Sequence, residues 1–408
     1  VRILYLNPSA KLGGAERSLL DLMWSIRRTR PDWQLAMLTG EDGELVARAR
    51  EMGVASEVFP MPPILARLGD AGAGGPAGGG DFALLALLAR MAKAAPAAAC
   101  HVGGLRREIS RIAPDLIHSN GFKSHLIAAW AAPRHTPIIW HVRDYLGSRP
   151  LMARLLPLHS ARCGAAVANS NGVASDVRTT CRGLEVHTVY NAVDLDRFSP
   201  EGSKADLDSL AGLPAAPSKT VRVGLLATMA RWKGHEVFLR ALSTISPSVP
   251  IRGYIVGGAL YQTYGSQYES ESLHKIAGQL GISSRVGFTG FVSDPATAIR
   301  ALDIVVHAST EPEPFGRVIA EAMACSKSVV ASATGGAAEI ISDRETALSH
   351  APGDAGDLAR CVAALAADSA LRERLGKAGR AVAQRRFDRV LLADNLVPIY
   401  HQLVSAAA

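Results

Sequence analysis

At 408 residues, with 48% hydrophobic and 20% charged side chains, the sequence describes a globular chain too long for one ordinary core, hence two domains of about 180–200 residues each. It has no uninterrupted apolar run of the roughly 18 residues a membrane span needs, and five scattered cysteines without a C-x-x-C pair argue against a disulfide framework or a structural zinc and for a reducing cytoplasm. The net charge of +7 sits mostly in residues 1–200, where 23 Lys and Arg face 17 Asp and Glu, and 5% aromatics with no recognisable nucleic-acid module argue against nucleic acid as a partner.

Residues 2–6 form a short apolar run that reads as a first strand, with no leader expected before it. The loop 7–16 follows, then a helix over 17–27. Gly13 and Gly14 lie in that loop, where missing side chains permit close backbone approach at the carboxyl end of a strand. The G-x-G-x-x-G fingerprint is absent, which tells against a dehydrogenase. Further strands are expected over 34–38, 54–59, 116–118, 138–141, 166–168 and 187–190. The second half repeats the pattern at 222–227, 253–256, 286–289, 304–307 and 328–331. Residues 71–80, almost all glycine and alanine, read as a flexible loop beside an apolar, basic helix from Phe82 through Lys93, which is expected to pack in the core. Strands alternating with helices define an α/β architecture of two doubly wound, Rossmann-like domains facing a central cleft. The seam falls at 194–217, rich in Pro, Ser, Gly and Asp, giving domains over 1–194 and 195–389. A last helix with apolar periodicity covers 390–404.

The densest chemistry lies at 313–321. The run 304–307 is a strand, 308–314 has two prolines and reads as a loop, and helical spacing begins at Phe315. Glu313 thus precedes a helix and Glu321 lies on its second turn. The unpaired N–H groups and positive dipole end between them suit a diphosphate. Eight residues of helix span about 12 Å, the scale of a ribose-to-sugar distance across a pyrophosphate. Arg231 and Lys233 follow the strand 222–227 and bring two cations to a strand–helix junction. His141 ends the strand 138–141; alone it reads as a structural residue. Asp194 and Asp196 match D-x-D superficially but lie in the seam, where they read as turn and cap acids. His235-Glu236 lacks the second histidine of a zinc protease helix. No metal is expected.

The string Ser309-Thr-Glu-Pro-Glu-Pro-Phe-Gly-Arg-Val-Ile-Ala-Glu-Ala-Met resembles the E-x7-E signature of retaining glycosyltransferases of family 4, which have the GT-B fold. Gly13-Gly14-Ala15-Glu16, Tyr190-Asn191, Trp232-Lys233-Gly234, Gly257-Gly258, Gly290-Phe291-Val292 and Gly335-Gly336 extend the resemblance along the chain. It implies transfer of a hexose from a nucleoside diphosphate sugar, UDP favoured over GDP, to a saccharide, lipid-linked or small-molecule acceptor. By the same resemblance Glu321 holds the ribose, while Glu313 holds sugar hydroxyls with the backbone of Phe315 and Gly316 nearby. Gly290, Phe291 and Val292 line the base, Gly335 and Gly336 leave room for phosphates, and Gly13-Gly14 cover the diphosphate. Lys233 and Arg231 stabilise the leaving diphosphate, and His141 meets the donor sugar. Arg143 and Asp144 are acceptor-side candidates, and residues 390–408 pack back on the first domain. One departure stands out: the family's usual arginine precedes the lysine by five or six residues, and five before Lys233 is Thr228, so Arg231 would act from a shifted position. No cofactor beyond the nucleotide sugar is implied. The basic first half suits an anionic acceptor or peripheral contact with acidic lipid at the inner membrane surface. A sugar-nucleotide epimerase on the same fold and a non-catalytic nucleotide-sugar-binding protein are the alternatives.

Overall fold

Short β-branched runs flanked by helical segments become the strands of two parallel sheets, because strands covered by helices on both faces need apolar side chains on both sides. The computed structural model describes residues 1–67, 81–258 and 267–407, with the backbone alone for 67 and 81–91. The glycine-rich stretch 71–80 lies outside the described residues. The chain divides into two units, Val1–Asn191 with Val390–Ala408, and Ala192–Arg389.

In the first unit the strands are β1 (Arg2–Asn7), β2 (Gln34–Thr39), β3 (Ala55–Val58), β4 (Leu116–Asn120), β5 (Ile138–Val142), β6 (Ala165–Ala168) and β7 (Val186–Thr188). They form one parallel sheet in the order β3-β2-β1-β4-β5-β6-β7. Leu4, Leu6, Ile117, Ile138 and Trp140 fill its core. The order reverses between β1 and β4, the position where open α/β sheets part their loops and bind ligands. The glycine loop after β1 leads into the helix Gly14–Thr29, three residues earlier than periodicity predicts, because glycines are silent in a hydrophobic pattern. The helix expected from Phe82 runs from Asp81 to Ile112 through Pro96, with Ala94, Leu105 and Ile109 buried. The last helix, Leu391–Ala407, packs on Gly14–Thr29. Ser25 Oγ accepts from Ala393 N–H at 2.9 Å, and Trp33 stacks on Tyr400.

The second unit has β8 (Val221–Leu226), β9 (Ile251–Val256), β10 (Val286–Gly290), β11 (Ile304–His307), β12 (Ser328–Ser332) and β13 (Leu348–His350), in the parallel order β10-β9-β8-β11-β12-β13. Its reversal lies between β8 and β11. Strand β13 has no counterpart in the sequence expectation. Leu-Ser-His lacks β-branched residues and holds its edge place by pairing with Val330–Ser332.

The seam, by composition a linker, is tied down at Asp208. That carboxylate is 4% exposed and accepts from Arg252 at 2.6 Å, Arg222 at 3.0 Å, the Tyr254 hydroxyl at 2.5 Å and Ala216 N–H at 3.0 Å. Burial alone would raise its pKa; these bonds outweigh it and hold the group below the usual carboxylate range. Asp194 Oδ1 accepts from the N–H groups of Asp196 and Arg197, and its Oδ2 pairs with Arg389 at 2.8 Å, so the D-x-D acids serve a turn.

Candidate active site

In the second unit the loops that follow β8 and β11, on either side of the sheet's reversal, are drawn together by Gly234. Its φ is +76°, and a Cβ there would fall 1.9 Å from the carbonyl oxygen of Ala308, so only glycine permits the approach. Trp232 O accepts from Thr310 N–H at 2.8 Å across the same seam of loops. The result is direct contact between the two residues singled out from these loops: Lys233 Nζ donates to Glu313 Oε2 at 2.6 Å. Lys233 also lies 3.9 Å from the centroid of the Trp232 ring.

Glu313 is 7% exposed, and its other partners are His307 Nε2 at 3.1 Å and Ser309 Oγ at 2.8 Å. All three bonds fall on Oε2, leaving Oε1 without one among the described residues. Burial pushes the pKa of this carboxyl up. The Lys233 charge and the His307 bond push it down harder, and it is held well below the ordinary range. Its backbone is fixed too, since Glu313 bridges Gly335 and its carbonyl accepts from Gly336 N–H at 2.7 Å. That N–H is therefore committed within the protein.

The helix after this loop begins at Arg317, because Gly316 has φ +92°, so the span expected to be helical from 315 starts two residues later. Only 317–321 of the interval between the glutamates is helical, and a ruler of eight helical residues overstates the helix. Phe315 is 2% exposed with its ring edge-on to Phe387, so only its backbone can meet a ligand. Glu321 is 8% exposed and pairs with Arg317 at 3.3 Å; Arg317 also donates to Ala192 O. The Arg231 guanidinium lies 4.6 Å from the Tyr268 ring centroid. Gly290 has φ +67°, its carbonyl accepts from Gly257 N–H at 2.9 Å, and Phe291 beside it is 61% exposed. The turn after β10 thus presents one exposed aromatic ring.

A second polar cluster occupies the reversal of the first sheet. Asn120 Nδ2 donates to Asn7 Oδ1 at 2.5 Å, joining the ends of β1 and β4. Arg143 donates to Asn120 Oδ1 at 2.7 Å, Asn191 Oδ1 at 2.6 Å and His141 Nδ1 at 3.2 Å. His141 Nδ1 lies 3.1 Å from His118 Nε2, and His118 Nδ1 lies 2.6 Å from the Tyr400 hydroxyl. Asp144 pairs with Arg149 at 2.9 Å and caps Tyr145 N–H, ordering its own loop. Gly13 N–H donates to Glu16 Oε2 at 3.1 Å at the start of the first helix, and burial raises the Glu16 pKa. Among the described residues no group of three or more His, Cys, Asp or Glu is placed to hold a metal ion.

Sequence reasoning left His307, Ser309, His118 and Tyr400 unassigned. The first two carried a signal: His307 ends a buried strand as His141 does, and Ser309 stands four residues before Glu313. Tyr400 gave none, being 282 residues from its partner.

The buried imidazoles have a pH consequence. His118, His125 and His141 all have pKa values lowered by burial, His125 to about 3. Below the unfolded value of about 6.5 the unfolded chain takes up protons that the folded chain refuses. Stability from these groups is complete above that pH and falls on acidification, by about 1.4 kcal/mol per pH unit for each histidine. Urea unfolding should therefore show a midpoint that declines from pH 7 to 5, and replacing His125 by a neutral residue should flatten the slope.

A family model described as "Glycosyl transferases group 1" matches residues 214–382, and one described as "Glycosyltransferase Family 4" matches residues 12–197. The chain is a glycosyltransferase of the GT-B fold, similar to family 4: an enzyme that transfers a hexose from a nucleoside diphosphate sugar to an acceptor. Anabaena Alr3699/HepE, solved in complex with UDP and glucose, is 27% identical with a TM-score of 0.77, covering 98% of this chain and 99% of that one. The same protein with UDP-glucose aligns at 26% identity and the same TM-score. Among curated relatives, the lipopolysaccharide core biosynthesis glycosyltransferase LpsE of Rhizobium meliloti is 27% identical over 277 residues, 67% of this chain and 74% of that protein. D-inositol 3-phosphate glycosyltransferase 2 of Catenulispora acidiphila is 36% identical over 187 residues, 44% and 42% of the two chains.

Proposed function

We propose that the chain takes a UDP-hexose in its second unit and transfers the sugar with retention of anomeric configuration to an acceptor served by the first. The observation that carries this is the Lys233–Glu313 contact at the reversal of the second sheet. There a fixed cation meets the leaving diphosphate, and Glu313 offers its one unbonded oxygen, Oε1, to sugar hydroxyls. Glu321 holds the ribose hydroxyls. Gly290, Phe291 and Val292 line the base, with the backbone of Phe315, Gly316, Gly335 and Gly336 beside the donor. Gly13-Gly14 and His141 act on the donor from the first unit, with Arg143 and Asp144 ordering the acceptor side. A carboxylate held ionised by three donors on one oxygen is a poor nucleophile, so same-face attack assisted by the departing phosphate suits this group better than a covalent intermediate. Lys233 carries the cationic role, with Arg231 beside Tyr268 secondary to it.

UDP is favoured over GDP because a relative similar along the whole chain was solved with UDP and UDP-glucose. A lipid-linked saccharide acceptor accords with the name of LpsE and with the basic excess of residues 1–200, which also suits contact with an acidic membrane surface. The test is one plate: thermal stabilisation by UDP, GDP and ADP, followed by UDP release from UDP-hexoses. UDP should raise the melting temperature most. Stabilisation by GDP or ADP alone would overturn the donor assignment, and conversion of the donor to an epimer without acceptor would favour the epimerase alternative.

A further inference from the structure

His141 Nε2 is buried and has no hydrogen-bond partner among the described residues. An orphaned buried donor costs about 1–3 kcal/mol; His125, His235 and His307 also carry unpartnered ring nitrogens, and His141 is the one of these joined to both a guanidinium and a second imidazole. The other nitrogen identifies the proton's place. A guanidinium only donates, so the Arg143 contact makes His141 Nδ1 an acceptor, and the single proton of the neutral ring sits on Nε2. His118 Nε2–H then shares the single lone pair of that Nδ1 with Arg143 in a three-centre contact, which leaves His118 Nδ1 bare to accept the Tyr400 O–H. In this arrangement the protons between Tyr400 on the last helix and His141 near the end of β5 point one way, with the Tyr5 hydroxyl lying against that of Tyr400.

We propose that Tyr400 and His118 are positioning residues that lock His141 in the Nε2–H tautomer, as a one-way hydrogen-bond donor to a hydroxyl of the reacting sugar. The proposal rests on the reading of His141 as part of the transfer site. It assigns the C-terminal helix a role in the chemistry beyond packing: Tyr400 sets the direction of the relay, 282 residues from His118 in sequence.

The experiment uses the full chain with ¹⁵N-labelled imidazoles, with His141→Gln to assign the resonance. The expected spectrum shows His141 protonated on Nε2 and bare on Nδ1 from pH 6 to 8, without donor present. Tyr400→Phe and His118→Leu should lower kcat about 5–10-fold, the worth of one directed hydrogen bond, with donor KM within about twofold. His118→Gln, whose amide nitrogen takes the place of the imidazole Nε2, should recover most of that loss. A helix held only for packing would lower melting temperature without this split. A His141 found protonated on Nδ1, or doubly protonated near neutrality, would overturn the relay, as would unchanged kcat in both Tyr400→Phe and His118→Leu. Should His118→Leu not fold, Tyr400→Phe, which removes one oxygen, decides alone. If the parent chain turned over no donor at all, the proposed function would fail, and the imidazole spectrum would still decide the tautomer.

Discussion

Glu313→Ala lowers turnover by about 10²–10³-fold, the usual consequence of removing a fixed charge that acts in the transition state, while UDP affinity stays within about threefold of the parent chain. The asymmetry follows from where the carboxylate sits. Its Oε2 is consumed by Lys233, His307 and Ser309, so it contributes little to binding the nucleotide, and Oε1 is what remains for the sugar. Removing it also leaves Lys233 without its partner, in a group where that side chain is only 20% exposed. Some stability loss is therefore expected, of about 3 kcal/mol for a broken buried pair. Glu313→Gln controls for this: it keeps the shape, restores part of the hydrogen bonding and remains slow. Steady-state kinetics beside urea unfolding separate the two effects. A Gln variant with full turnover would show that the charge is not needed.

Lys233→Met should cost a comparable factor, about 10²–10³ in kcat, for a double reason. The leaving diphosphate loses its cation, and Glu313 loses the charge that keeps it ionised. With Lys233 gone, burial is opposed only by His307, Ser309 and the remaining field, so the Glu313 pKa rises. The sign for stability follows. In the parent chain Glu313 has a depressed folded pKa, so its contribution is present above the unfolded value of about 4.3 and lost as pH falls below it. In Lys233→Met that contribution shrinks or reverses, and the acid limb of kcat moves to higher pH. Lys233→Arg should retain an intermediate rate, because charge is kept but geometry is not. Lys233→Met with turnover within a few-fold of the parent would shift the weight to Arg231.

Much of this architecture is legible in the chain because buried parallel strands are written in β-branched runs. Val305-Val306 and Val329-Val330 announce themselves, and β11 falls on the expected residues 304–307. Where a strand lacks that composition, as Leu348–His350 does, only its neighbour reveals it. The seam shows the same limit: Pro, Ser and Gly describe a linker, but Asp208 finds Arg222, Arg252 and Tyr254 at sequence distances no local window spans. Lys233 and Glu313, 80 residues apart, were both visible because each carries its own motif. Their contact depends on Gly234 meeting Ala308, a steric fact that appears only in three dimensions. Arg231, close to Lys233 by sequence position, has its guanidinium over the Tyr268 ring, a neighbour that only the structure reveals.

The division of labour between the two glutamates is the centre of this account, and calorimetric titration of UDP into the parent chain, Glu313→Ala and Glu321→Ala tests it most directly. Glu321 is buried and, among the described residues, its carboxylate pairs with Arg317 on the preceding turn of its own helix; under the proposed function it accepts from ribose hydroxyls. Hydrogen bonds to a charged group are worth about 1.5–3 kcal/mol each, so Glu321→Ala should weaken UDP binding by about 10–100-fold. Glu313→Ala should bind UDP nearly as the parent does. Equal loss of affinity in both variants, or loss in Glu313→Ala alone, would contradict the assignment.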